Sequence, residues 1–274
     1  SCSASVPMEA SAPAPPQGGL PPGFLPSRAD AGDEGGRELS EEVRKSPEAL
    51  RWCAGLLEYC SLATRYDGPV PAPGGRFPQL EYLGDCNGHV ENALRVLGRI
   101  RPAEPHEEGF QVVAELAFRG TRNIDNWFTN LQCHLEPNAL GPCVGQVHKG
   151  FSDAYATIRD HVFQWIRHAL TAPGHDLSSV LVLCTGHSLG GALATLAAYD
   201  LGAKGLAAVC VAWGNPRLGD AEFAASYRSI VRRSVRFVTK FDPVPRLPPS
   251  ESDPIASDAD LVHRGVAMLL RRPQ

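Results

Sequence analysis

The sequence predicts an α/β domain, a mostly parallel central sheet flanked by helices. From Phe110 onward, apolar runs of strand length alternate with segments of helical period, the pattern of successive β-α-β units. Two of those runs, Val180-Leu181-Val182-Leu183-Cys184 and Ala207-Ala208-Val209-Cys210-Val211-Ala212, are continuously apolar, as parallel strands covered on both faces must be. With 43% hydrophobic residues over 274 positions, the chain has enough apolar material for a sizeable core.

The elements follow in chain order. Seven prolines fall between Pro7 and Pro26 among Ser, Ala and Gly. A segment of that composition buries too little apolar surface to offset its chain entropy, so residues 1–45 are expected to be a disordered tail or linker before a domain over 46–274. Ser46 suits a helix cap and Pro47 a first helical position, and Leu50, Cys53, Leu57, Cys60 and Thr64 then line one face, predicting a helix over 47–66. A Pro/Gly-rich loop (69–78) and a short helical stretch (88–98) come next. Beyond them the expected order is strand 112–118, helix 151–170, strand 180–184, helix 191–201, strand 206–213, helix 221–229 and strand 235–239.

Charge and cysteine usage exclude several classes. There are 26 Lys+Arg against 30 Asp+Glu, a net charge of −4, which suggests no nucleic acid or other polyanion as partner. The longest apolar stretches, 180–183 and 206–212, fall far short of the roughly 18 to 20 residues needed to span a bilayer, so no transmembrane segment is expected. The chain starts at Ser1 without a basic region leading into an apolar run; any targeting segment is expected to lie outside it, and the compartment is not legible there. Of the eight cysteines, Cys184 and Cys210 sit in apolar runs and read as reduced core thiols. Cys133 and Cys143 bracket a Pro/Gly/Asn loop, where a disulfide is sterically open but not demanded. No C-x-x-C pair or His/Cys cluster has zinc-ligand spacing, and no metal or cofactor is expected.

The chemistry is concentrated after the strand over 180–184. There the chain reads Thr185-Gly186-His187-Ser188-Leu189-Gly190-Gly191-Ala192, followed by a helix of small residues. This is G-x-S-x-G in the context of strand, strained turn and helix, where the two glycines leave the room a serine elbow needs and a helix N-terminus favours developing negative charge. Ser188 is therefore the expected nucleophile, and the backbone N–H of Leu189 an expected oxyanion donor.

The elbow Gly186-His187-Ser188-Leu189-Gly190-Gly191 and its helix resemble those of the fungal-type triacylglycerol lipases, the class 3 lipases, which have the α/β-hydrolase fold. Further blocks fit the family's order: Leu116-Ala117-Phe118-Arg119-Gly120-Thr121, Asn126-Trp127 with Asn130-Leu131, Val147-His148-Lys149-Gly150-Phe151, Trp213-Gly214-Asn215-Pro216-Arg217, and the run from Phe241 to Pro249. The resemblance covers about residues 50–265. It implies that Thr121, closing the F-R-G-S/T block, supplies the second oxyanion donor.

The triad order Ser, Asp, His points to Asp242, just past the strand over 235–239, as the acid. Its Asp-Pro context alone equally suits a turn, and the flanking Val244-Pro245-Arg246-Leu247-Pro248-Pro249 supplies the family match. Ile124, Trp127, Phe128 and Leu131 share one apolar helical face. An aromatic segment there suits a lid that opens on a lipid surface; the alternative is a core-facing turn of helix. The sequence departs from the family at the base. His263 is the one histidine after Asp242 and the candidate within the chain, yet Leu261-Val262-His263-Arg264-Gly265 looks more like the family's structural Y-x-H-x-G block. The family's base lies farther beyond the acid, and the expectation is that it falls past Gln274, leaving His263 away from Ser188.

The reading that follows is a serine carboxylester hydrolase acting on acylglycerols or related lipid esters, at a lipid–water interface. Its rival is a non-catalytic module that binds lipid interfaces; a serine acyltransferase or peptidase on the same scaffold is a third. Secretion or a lumenal location is implied by the resemblance alone.

Overall fold

The computed structural model describes residues 20–22, 24–25, 46–65, 81–86, 94–120, 134–171, 176–239 and 242–247. The first helix, α1 (Pro47–Arg65), starts where Ser46 and Pro47 predict, and the Ser46 Oγ accepts the Ala49 N–H at 3.4 Å. Strands β1 (Glu81–Cys86), β2 (Leu94–Pro102) and β3 (Val112–Phe118) follow. Then come a small hairpin of β4 (Leu135–Pro137) and β5 (Gln146–His148), helix α2 (Lys149–Thr171) and strand β6 (Val180–His187). The last elements are α3 (Leu189–Ala203), β7 (Ala207–Trp213), α4 (Ala221–Ile230) and β8 (Arg233–Phe237).

The main sheet has the order β1-β2-β3-β6-β7-β8. Strands β3, β6, β7 and β8 run parallel, and β1 and β2 add an antiparallel edge. This is the α/β-hydrolase arrangement, with strand alternation dividing the core into two layers. Val180, Val182 and Cys184 of β6 face one layer with Phe151, Tyr155 and Ile158 of α2, Leu193 and Leu196 of α3 and Phe223 and Tyr227 of α4. Leu181 and Leu183 face the other, against Trp52, Leu56 and Cys60 of α1. Every residue of α3 from Leu189 to Leu201 is buried, which suits its all-round apolar, small-residue sequence.

One expectation is corrected. The stretch 88–98 was expected to be helical, but from Leu94 it is strand β2, paired along its length with β3 from Val96↔Phe118 to Pro102↔Val112. Leu94, Leu97 and Arg101 keep helical spacing, but β-branched Val96 and Ile100 and a long antiparallel partner favour the sheet. Cys143, whose pairing with Cys133 the sequence left open, is an exposed free thiol; Cys133 lies outside the described residues. Cys184 and Cys210 are the buried free thiols expected, cross-strand partners on β6 and β7, and burial pushes the Cys210 thiol up to about 11.

The N-terminal segment, expected as a tail over 1–45, includes described residues that pack on the domain. Leu20 and Phe24 are each only 1% exposed, and the Phe24 ring lies 5.1 Å from that of Trp52. The Leu20 N–H donates to Glu107 Oε1 at 2.9 Å. Glu107 also accepts two bonds from Arg101, at 2.7 Å each, and Arg101 and Arg99 both reach Glu115 on β3. Burial alone would raise the Glu107 carboxyl, but its bonds from Arg101, Leu20 and Glu104 hold it below the ordinary 4.5. The stability this adds is present above that ordinary value and is lost as pH falls through the lower folded value. Composition hid the docking, since two apolar side chains in a Pro-rich stretch carry no period. Phe24→Ala is expected to cost about 3 kcal/mol in urea unfolding, and deleting residues 1–45 at least as much. A change under about 0.5 kcal/mol for both would show that this contact contributes nothing.

Candidate active site

Strand β6 ends at His187 and α3 begins at Leu189, so Ser188 makes the whole turn. Its backbone takes φ 55° and ψ −123°, a left-handed conformation that costs a residue with a Cβ on the order of 1–3 kcal/mol and persists only where its surroundings enforce it. The Ser188 N–H is tied to the Trp213 carbonyl at the end of β7 at 2.9 Å, and the Ser188 carbonyl accepts from Gly191 and Ala192 at 3.0 and 3.2 Å. Two glycines make the turn possible. A Cβ on Gly186 would overlap the Gly190 carbonyl, and one on Gly190 would overlap the carbonyl oxygen of Phe118 at the exit of β3. Helix, elbow and strand exit meet backbone to backbone.

The Ser188 Oγ is buried and has no hydrogen-bond partner among the described residues. A buried hydroxyl without a partner is costly, and a native fold keeps such a cost where the group serves a function. Leu189, expected as an oxyanion donor, opens α3, so its N–H is among those a first helical turn leaves without an intrahelical acceptor. The exit of β3 passes the same point, where a Cβ on Gly120 would stand 2.7 Å from the His187 carbonyl. Thr121, the next residue, lies outside the described residues, as do Ile124, Trp127 and Phe128 of the expected lid and His263.

Asp242 stands beyond β8 at the same edge of the sheet. Its Oδ1 accepts the Val244 N–H at 2.9 Å, and a short 3₁₀ turn (Val244–Arg246) follows. Its Oδ2 lies 2.7 Å from where a Cβ on Gly214 would stand; Gly214, at φ +53°, leaves room for the carboxylate beside the end of β7. The His187 Nε2 approaches the same point within 3.6 Å. Its imidazole is held below the ordinary 6.5 by burial, which the charge of Asp242 partly opposes. The fold therefore brings Ser188, Leu189 and Asp242 to one sheet edge.

Sequence reasoning missed two buried residues beside the Asp242 turn. Asn215 is fully buried after β7, and Arg236 of β8, 5% exposed, bonds to it. An arginine in an alternating strand reads as solvent-facing, and nothing in the pattern marks it otherwise.

Comparison with known proteins fits this geometry. The family described as Lipase (class 3) matches residues 115–252, half of the chain, which contain Ser188, Leu189 and Asp242. The secreted mono- and diacylglycerol lipase A of Penicillium cyclopium is 35% identical over 136 residues, 48% of this chain and 42% of that protein. The secreted mono- and diacylglycerol lipase 1 of Fusarium solani is 30% identical over 192 residues, 70% of this chain and 55% of that protein. The chain thus spans about half the length of these relatives. Among solved structures, a triacylglycerol lipase whose catalytic centre is formed by a serine protease triad superposes with a TM-score of 0.57 over 76% of this chain and 77% of its own. At 23% identity that likeness shows the fold alone. The strained serine at the end of β6, with the blocks before and after it in the same order, is what the family match covers: this chain belongs to the class 3 lipases.

Proposed function

We propose that the chain is the catalytic core of a serine carboxylester hydrolase acting on acylglycerols or related lipid esters. The observation that carries this reading is Ser188 itself, a buried hydroxyl without a partner among the described residues, on a left-handed elbow at a helix N-terminus. Such a hydroxyl is aimed at an acyl carbonyl, and the helix end behind it favours the oxyanion formed on attack.

In this mechanism a histidine takes the Ser188 proton as Oγ bonds to the carbonyl carbon, and Asp242 orients that histidine and stabilises its charged form. The N–H of Leu189 and the Thr121 backbone hold the tetrahedral oxyanion. The histidine then protonates the leaving alcohol, and a water molecule activated by the same base releases the fatty acid from Ser188. His263 is the candidate base within this chain. Ile124, Trp127 and Phe128 are proposed as the lid residues that meet lipid. A lipid–water interface is the working surface, supported by the names of the relatives, two of which are secreted. Among the described residues no helix is long and apolar enough to cross a membrane.

A fluorophosphonate ester tests the reading, with the adduct located by mass spectrometry. Covalent phosphonylation of Ser188, absent in Ser188→Ala, is the expected result. A folded protein that gains no adduct at Ser188 would overturn it.

A further inference from the structure

We infer that Arg236 is the positioning residue of the acid, a clamp that sets the distance between the turn carrying Asp242 and the helix carrying Ser188. This rests on reading Asp242 as the acid of the proposed hydrolase. Arg236 lies on β8, six residues before Asp242, and is buried. Its Nε donates to Asn215 Oδ1 at 3.0 Å, and its Nη2 donates to the Asn215 carbonyl at 2.5 Å and to the Pro245 carbonyl at 2.9 Å. Each acceptor belongs to a different side of the site. Pro245 sits in the 3₁₀ turn immediately after Asp242, the turn whose Val244 N–H fixes the carboxylate. Asn215 is packed on the nucleophile side, its Cβ 2.7 Å from where a Cβ on Gly191 would stand, in the first turn of α3. One planar guanidinium therefore ties the segment after β7, which packs on the helix of Ser188, to the turn of Asp242.

The chemistry of the contact argues for positioning. A guanidinium presents its donors in a fixed fork, so bonds to two separate main-chain segments fix their separation, which a flexible ammonium does not. Removing a cation from water is costly, and carbonyl oxygens repay that cost only in good geometry. An apolar side chain would fill the same space more cheaply and leave the acid turn to backbone ties such as the Arg217 N–H to the Leu247 carbonyl at 2.7 Å and the Asp242 N–H to the Thr239 carbonyl at 3.2 Å. A displacement of about 1 Å at a catalytic group costs on the order of 10²-fold in rate.

The test compares the parent with Arg236→Lys, Arg236→Met and Asn215→Ala, using Asp242→Asn as the control. Thermal unfolding, kcat and KM on a soluble short-chain ester, and the His187 imidazole pKa by NMR are measured. The last readout needs no turnover, because His187 feels the Asp242 charge in the resting protein. Arg236→Lys is expected to stay folded, to lose about 10- to 100-fold in kcat with KM within about twofold, and to lower the His187 pKa toward the Asp242→Asn value. Arg236→Met should exceed it in both, and Asn215→Ala, which removes one of the three bonds, should move them the same way by less. Should the arginine variants not fold, Asn215→Ala decides through His187 alone. An unchanged His187 pKa and kcat in a folded variant would overturn the inference. A parent without turnover and without an adduct at Ser188 would overturn the proposed function instead, and the His187 shift would still decide the role of Arg236.

Discussion

Ser188→Ala is expected to lower ester turnover by about 10⁴- to 10⁶-fold while leaving the fold intact. The hydroxyl has no hydrogen-bond partner among the described residues, so removing it breaks no recorded contact and relieves the cost of burying an unsatisfied polar atom. Alanine keeps the Cβ, so the left-handed elbow at φ 55° is no more strained than before. The variant should therefore unfold at the same temperature or slightly higher. That pairing of lost turnover with unchanged or raised stability distinguishes a functional serine from a structural one, whose removal would cost stability first. Turnover within tenfold of the parent would take Ser188 out of the reaction.

Gly190→Ala should have the largest effect on stability, more than about 4 kcal/mol, which for a domain of this size lowers the unfolding temperature by roughly 10 °C or more. The added methyl would overlap the Phe118 carbonyl and come within 2.8 Å of the Arg119 carbonyl carbon and oxygen. All three atoms belong to the backbone, so no side-chain rotation relieves the contact. Relief requires α3 to move off the exit of β3, yet α3 is buried from Leu189 to Leu201 and fixed from behind by Asp200, which accepts from Tyr155 at 3.2 Å and Arg159 at 2.6 Å. Turnover should be lost with stability, since the same shift would carry the Leu189 N–H away from the β3 exit. Thermal unfolding decides it. A loss below about 2 °C would mean that elbow and strand exit are not in contact.

How much of this was legible beforehand depended on how local each signal is. Strand β3 was read at its observed ends, and β6, α3 and β7 within three residues at either end, because buried parallel strands and a wholly buried helix write continuous apolar runs into the chain. Ser188 was legible because the elbow is made by five consecutive residues whose spacing is itself the steric requirement. Asp242 was less so, since Asp before Pro suits any turn, and only its neighbours marked it.

What the chain determined by itself was therefore whatever is decided within a few residues: the alternation of strand and helix, the elbow, and the chemistry of a serine at a helix N-terminus. The tertiary structure decided the rest, because those contacts join residues far apart in sequence. Leu94–Pro102 became a strand through pairing with β3, which outweighed its helical spacing. Leu20 and Phe24 docked because a groove beside Trp52 received them, with Glu107, 87 positions along the chain, accepting the Leu20 N–H. Arg236 gained a role from Asn215 and Pro245, which lie 21 and 9 positions away. No local pattern records such partners, since a hydrogen bond depends on distance in space, and folding alone sets that distance.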